Sequence, residues 1–340
     1  CDSGERRHMR RSPAPSSRAF PFPCHSDRLA VVKRKSSITR KPPPHPASPR
    51  GGDAGYIAVV GPGAVGGVLA ASLLGSGRRV VLVGREGWNP RRLRRAGLRV
   101  TDRAGRTRTL RRLEVAGKTL PRGACEALFL CVKSRDLPSA LRRASRLAGP
   151  KTAVVSLLNG LDHAAPILRT FGKERTVLGS CYFAALRTSP GSVRHTGQGP
   201  VILSRSEGNS AALAAVMRLL RSAGWTVRTA PSARRLLWTK AAFNAALNPI
   251  GALAFKTNGE LVRSADLRGL LDAASREAFS LMRAQGIEPL TRRPERVLLA
   301  CCRRAPDQVN SMAQDLASGK TTEARDILGP FVRAARRTGR

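Results

Sequence analysis

Acidic and aromatic side chains are scarce in this chain. Across 340 residues, 22 Asp and Glu stand against 61 Lys and Arg, leaving a formal charge of +39, and Phe, Trp and Tyr make up 4%. No apolar run approaches the ~20 residues that a membrane-crossing helix needs, so the chain is expected to be soluble and cytoplasmic, with no membrane partner. The 7 cysteines are odd in number and none is spaced Cys-x-x-Cys. That argues against a disulfide framework or a metal site and for a reducing compartment. Cys131 stands inside Leu128-Phe-Leu-Cys-Val, where a thiol packs as a small hydrophobe.

The charge excess attracts polyanions without regard to sequence. Zinc-finger spacing, a basic-zipper pattern and an RNA-recognition aromatic signature are all missing, so no specific nucleic-acid partner is expected. The same field suits a phosphate-bearing cofactor and a small carboxylate substrate. Length and a hydrophobic content of 41% allow two domains with buried cores, acting as a monomer or homodimer.

Residues 1–55 are rich in Pro, Ser and Arg, with Pro42-Pro43-Pro44 and Gly51-Gly52, and carry 12 Lys/Arg against 4 Asp/Glu. Such a stretch cannot bury enough apolar surface to fold alone, and it reads as a disordered basic tail. Without an initial methionine it fits a fragment or a mis-set start, and its Arg and Ser content also leaves a targeting segment open.

Order begins at the apolar strand Tyr56-Ile-Ala-Val-Val60, followed by Gly61-Pro-Gly63-Ala64-Val65-Gly66 and a helical run, with a second strand Arg79-Val-Val-Leu-Val83 beyond. A Gly-x-Gly-x-x-Gly between strand and helix is the context of a dinucleotide site. Gly61 permits the tight turn, Gly63 lets backbone approach a pyrophosphate, and Gly66 lets the helix lie close on the sheet. The helix start, at Ala64 and Val65, receives the phosphate charge. Arg85 comes first after the second strand and suits the 2′-phosphate of NADP, while Glu86 beside it keeps NAD open. The nearby Arg91, Arg92, Arg94 and Arg95 read as a solvated helix face.

A strand pair is expected between Gly97 and Val115. Ala127-Leu-Phe-Leu-Cys-Val132 then forms a buried parallel strand with Lys133 at its carboxyl end, where ligands of open α/β sheets bind. A helix over 137–147 and a strand over 152–158, ending in Asn159-Gly160, repeat the unit. Residues 176–204 read as strands extending the same sheet, with His195 structural, and a helix over 209–222 and a strand at Trp225–Arg228 follow. The expected architecture is an N-terminal Rossmann-like doubly wound α/β domain over 56–230, then an all-α C-terminal domain over 231–340.

The first helix of that second domain carries Lys240-Ala-Ala-Phe-Asn244-Ala-Ala-Leu-Asn248. Residues four apart stand one above another on a helix, so one ammonium and two amides form a single polar stripe. Such a stripe can grip and protonate an oxygen-rich anion such as a 2-oxo acid. A solvated face would look the same, and the stripe alone leaves both readings open.

With Arg85, Val132-Lys133, Leu158-Asn159-Gly160, Pro190-Gly191-Ser-Val, Trp238-Thr-Lys240 with Asn244 and Asn248-Pro249, and Ser311-Met312-x-Gln314-Asp315 leading to Thr322-Glu323, the chain resembles the ketopantoate reductase (2-dehydropantoate 2-reductase) family from Tyr56 to its end. The resemblance implies NADPH-dependent reduction of 2-dehydropantoate to (R)-pantoate, toward pantothenate and coenzyme A. It implies Lys240 as general acid, Glu323 as a catalytic and substrate-binding glutamate, and Asn244, Asn248 and Ser311 as substrate contacts. Asn159 would lie near nicotinamide and substrate, and Arg85 and Lys133 would contact NADP phosphate. Glu323 could also balance the charge of Lys240, or serve its own helix as an N-terminal acid. Ser311 could be a helix cap and Asn159 a turn former.

Two departures from the family pattern stand out. Ala324-Arg325-Asp326-Ile327 follows the glutamate where Ile-Asp and then Asn-Gly are common, and the chain stops at Arg340, before the last helix of most members, so a truncated C-terminal domain is expected. The altered residues leave open a family reductase for another 2-oxo acid. A non-catalytic nucleotide-binding protein on the same fold is the further alternative.

Overall fold

The computed structural model describes residues 55–85, 90–111, 113–116, 121 and 123–339; the tail and Glu86 lie outside the described residues. Chain order opens with β1 (Tyr56–Val60), α1 (Ala64–Gly75), β2 (Val80–Val83), α2 (Pro90–Ala96), β3 (Leu98–Thr101), β4 (Thr107–Leu110) and β5 (Glu114–Val115). It continues with β6 (Cys125–Leu130), α3 (Leu137–Ser145), β7 (Ala153–Ser156), α4 (Ala164–Phe171), β8 (Thr176–Cys181), β9 (Ala184–Ser189), β10 (Ser192–Gly197), β11 (Val201–Ser204), α5 (Ser210–Ser222) and β12 (Val227–Ala230).

Eight strands form one sheet in the order β12-β11-β8-β7-β6-β1-β2-β5. β5 through β8 lie parallel to β1, and β11 turns antiparallel against β8. Every residue of β1, β2 and β7 is buried, as a sheet covered on both faces requires. Strand alternation divides the core in two: Ile57 and Val59 pack on one face, Tyr56, Ala58 and Val60 on the other.

The other four strands form a second sheet, β4-β3-β10-β9. Residues 176–204 therefore do not all extend the large sheet: β8 and β11 do, whereas β9 and β10 leave it. The cause lies in α1, which is apolar around its whole circumference (Val68, Leu69, Ala70, Ala71 and Leu73 are all buried) and must be covered on both sides. A Cβ at Gly67 would sit 2.8 Å from Val193 Cγ1 of β10, so the small sheet lies directly on the outer face of this helix. The expected strand pair over 97–115 forms as β3 and β4, antiparallel, and β5 joins the edge of the large sheet beside β2. His195 on β10 packs among Phe183 and Trp225, its ring centroid 5.7 Å from each.

From Ser232 onward the described chain has only helices: α6 (Ala233–Leu253), α7 (Asn258–Arg263), α8 (Ala265–Ala284), α9 (Pro294–Arg304), α10 (Ser311–Ala317) and α11 (Ala324–Arg337). The Ser232 hydroxyl caps α6 by accepting from Arg235 N at 3.4 Å. Phe243 of α6 meets Phe279 of α8 at 5.3 Å, and Trp238 meets Phe331 of α11 at 5.2 Å, both edge to face. Among the described residues no helix is long and apolar enough to cross a membrane.

Candidate active site

The direction of chain travel reverses between β1 and β6, the position where open α/β sheets leave a crevice for ligands. Gly61 ends β1 there with φ of 93°, a conformation that side-chain-bearing residues avoid. A Cβ on it would also lie 2.7 Å from Val132 Cγ1 and 2.8 Å from the Cys131 carbonyl oxygen. At Gly66 a Cβ would run into the carbonyl oxygen of Gly61, so α1 starts pressed against the turn.

Gly63, by contrast, faces open space, with nothing within 4 Å of where its Cβ would be. The first helical bond is donated by Gly67 N to Gly63 O at 2.9 Å, and no side chain caps the helix. The N–H groups of Ala64 and Val65 therefore point out of the helix start, and the open cradle fits a pyrophosphate. Arg85 is exposed just past β2. Of the α2 arginines, Arg94 donates to the Val115 carbonyl and so braces β5.

Lys133 follows β6 as expected, but its ammonium is held by protein. Nζ lies 2.9 Å from Asp315 Oδ2 and 3.0 Å from Glu323 Oε2. Burial pulls its pKa down, and the two carboxylates outweigh that and raise it. Glu323 is buried, and its other oxygen accepts from Ser134 N at 3.3 Å. It occupies the N-cap position of α11 without capping that helix: the carboxylate reaches across the crevice instead of serving its own helix. Among the described residues its ionic partner is Lys133, and not Lys240, whose charge the sequence offered it as one alternative to balance.

Asn159 enters from the end of β7, its carbonyl accepting from Ser134 Oγ at 3.4 Å. A Cβ on the following Gly160 would lie 2.9 Å from the Asp326 carbonyl oxygen of α11. Here the sheet and the helical region meet backbone to backbone.

Lys240, Asn244 and Asn248 share one face of α6. Both asparagines are buried, and their amides, with the hydroxyl of Ser311 and the side chain of Asn159, make no hydrogen bond among the described residues. Ser311 is the first residue of α10, which Asn310 caps through a bond from Ala313 N at 3.0 Å; the Ser311 hydroxyl is thus left over for another partner. Lys240 is half-buried with Nζ 4.6 Å from the centre of the Tyr182 ring, within range of a cation–π contact. Burial lowers its pKa from the ordinary 10.5, partly countered by the nearby Cys301 and Cys181 thiols.

Sequence reasoning assigned no role to Tyr182, Ser134 or Asp315. Of these only Asp315 carried a signal, as part of the Ser311-Met312-x-Gln314-Asp315 block, and the structure adds that it is an acid in the last turn of a helix, where the dipole disfavours it. A separate cavity of about 340 Å³, lined in part by Arg263, Arg268 and Arg303, includes none of these residues. Arg263 and Arg303 lie in the last turns of α7 and α9, where basic side chains complement the helix dipole. Among the described residues no group of His, Cys, Asp and Glu could hold a metal ion.

Comparison with known proteins bears on the same region. Residues 57–208 match the family model for ketopantoate reductase PanE/ApbA, and residues 232–340 its C-terminal model. The 2-dehydropantoate 2-reductase of Halobacterium salinarum is 32% identical over 281 residues, covering 82% of this chain and 92% of that protein. Among solved structures, a PanE/ApbA family ketopantoate reductase from Ralstonia eutropha superposes with a TM-score of 0.70 at 26% identity, covering 84% of this chain and 92% of the other. D-mandelate dehydrogenase, solved with NADH and anilino(oxo)acetate, has the same fold, with a TM-score of 0.76 at 22% identity, covering 84% and 93%.

Proposed function

Because this chain belongs to the ketopantoate reductase family, we propose that it reduces 2-dehydropantoate to (R)-pantoate with NADPH, in the cytoplasm and toward pantothenate and coenzyme A. The observation that carries the reading is the meeting of Glu323 with Lys133 at 3.0 Å. It brings an acid of the helical region to the carboxyl end of β6, beside the glycine turn, where a nicotinamide would lie.

NADPH, when bound, supplies the hydride. The residues of the chain account for the rest. Gly61, Gly63, Ala64, Val65 and Gly66 offer a backbone cradle for the pyrophosphate, and Arg85, exposed just past β2, would meet the ribose 2′-phosphate. Negative charge grows on the carbonyl oxygen as hydride arrives at its carbon; Lys240 stabilises that charge and donates the proton. Its lowered pKa makes it a better donor near neutrality than an ordinary lysine.

Lys133 is already neutralised by two carboxylates, which repel a further anion. The substrate carboxylate therefore belongs with Asn244, Asn248 and Ser311, donors without a partner among the described residues, and Glu323 is left to accept from the substrate hydroxyl. A second reading, a reductase for another 2-oxo acid, is favoured by Ala324-Arg325-Asp326, which depart from the family pattern just after Glu323.

The test is oxidation of NADPH and of NADH by purified protein with 2-dehydropantoate and a panel of 2-oxo acids, aromatic ones included. Preference for 2-dehydropantoate supports the proposal, preference for another member of the panel selects the second reading, and turnover of none sinks both. Lys240→Ala is expected to lower turnover by roughly 10²- to 10⁴-fold, the usual contribution of a positioned acid, with NADPH still bound.

A further inference from the structure

Asp315 stands where helix electrostatics disfavours an acid, in the last turn of the short α10. Its side chain is only 13% exposed, and among the described residues its ionic partner is Lys133, at 2.9 Å. The same ammonium reaches Glu323, whose side chain is 8% exposed, at 3.0 Å. One lysine from the end of β6 is thus shared by carboxylates from α10 and α11.

A lysine ammonium is a point charge on a flexible four-carbon stem, and Lys133 keeps a third of its side chain exposed. A single partner would leave it free to pivot. Two partners on separate helices fix its Nζ, and with it the oxygen of Glu323 that it binds. The second Glu323 oxygen is fixed by Ser134 N, so every oxygen of that carboxylate is aimed by residues that follow β6.

We propose that Asp315 is a positioning residue for the reaction: it holds Lys133 so that Lys133 and Ser134 present Glu323 to the substrate, and it touches neither substrate nor cofactor itself. The inference rests on the reductase reading above and extends it to a residue outside the proposed contacts. If Lys133 were instead a phosphate contact that happens to rest on two acids, loss of Asp315 would free it for the nucleotide, and cofactor affinity would change rather than turnover.

The experiment compares the full-length wild type with Asp315→Asn, Lys133→Met, the double variant and Asp315→Glu. The readouts are kcat, KM for the 2-oxo acid, NADPH affinity by fluorescence, and thermal midpoint. Asp315→Asn should lower kcat/KM for the oxo acid by about 10- to 100-fold, the scale expected when a reacting group is misplaced by an ångström. NADPH affinity should stay within about twofold of wild type, a split that loss of a merely structural ion pair would not produce.

The double variant should be no worse than Lys133→Met, because Asp315 acts only through Lys133. Asp315→Glu, which keeps the charge, should recover part of the loss; Asp315→Ser replaces the asparagine variant if that one does not fold. Wild-type turnover by Asp315→Asn, multiplied losses in the double variant, or a fall in NADPH affinity that matches the fall in turnover would each overturn the inference alone. A wild type that reduces no 2-oxo acid overturns the reductase reading and this inference together.

Discussion

Lys240 combines two properties that pull in opposite directions for a structural residue and in the same direction for an acid catalyst. Burial lowers its pKa from 10.5, yet the Tyr182 face 4.6 Å away stabilises the charged form. The protonated form is the one that donates, so reduction should slow as pH rises through a limb placed below 10.5. Lys240→Arg, which stays protonated, should lose that basic limb even if its absolute rate is low. A limb that persists unchanged in the arginine variant would assign it to another group. Arg85 gives the second residue-scale expectation: alanine there should weaken NADPH by about 10- to 100-fold, as for a lost charge-assisted hydrogen bond, and NADH hardly at all. Equal losses for both would remove the 2′-phosphate contact. The stripe on α6 and the glycine turn were legible because each is a local pattern, with residues four apart or a turn between strand and helix. The bond between Lys133 and Asp315 spans 182 positions, and no local pattern encodes which cation such an acid will meet.

Element by element, the sequence located nearly every strand and helix of the sheet region but not which sheet each strand joins. Hydrophobic alternation sets a strand's two faces, whereas its neighbours are set by what else needs covering. β9 and β10 cover α1, whose all-round apolar surface needs a layer on each side. Position also decides the behaviour of His163, at the N-cap position of α4 just beyond Asn159-Gly160. It is 2% exposed, and among the described residues neither ring nitrogen has a well-formed hydrogen-bond partner. Burial pushes its pKa down to about 4, against weaker upward pulls from Asp162 and the Asn159 backbone. A folded pKa below the unfolded 6.5 means that the unfolded chain takes up a proton the folded chain refuses. His163 should therefore cost the fold nothing above about pH 6.5, and an increasing amount as pH falls toward 4, reaching about 3 kcal/mol at 1.36 kcal/mol per pKa unit. Urea unfolding at pH 7 and near pH 4.5, with wild type and His163→Leu side by side, measures it. Parallel losses in the two proteins would show that other groups carry the acid sensitivity.

For the molecule as a whole, the few acids are not spread evenly. Asp315 and Glu323 hold Lys133, Asp326 feels both Glu323 and Asp162 and has its pKa raised, chiefly by burial, and Asp162 pairs with Arg333 at 2.8 Å. Four carboxylates thus gather around the carboxyl ends of β6 and β7, in a chain with only 22 acids and a formal charge of +39. The long-range field draws anions toward the protein, and the local acids keep them off the one lysine already engaged. Attraction and placement are then separable, because they act over different distances. Screening shrinks from about 10 Å at 0.1 M salt to about 3 Å at 1 M. Raising salt should therefore weaken the long-range pull on the polyanionic cofactor, while the half-buried contacts at Lys240 and the ion triad change little. KM for NADPH is expected to rise several-fold between low and high salt at nearly constant kcat. Steady-state kinetics across a sodium chloride series decides it: a kcat that falls in step with the cofactor's kcat/KM would mean that the exposed charge takes part in the chemical step and not only in capture.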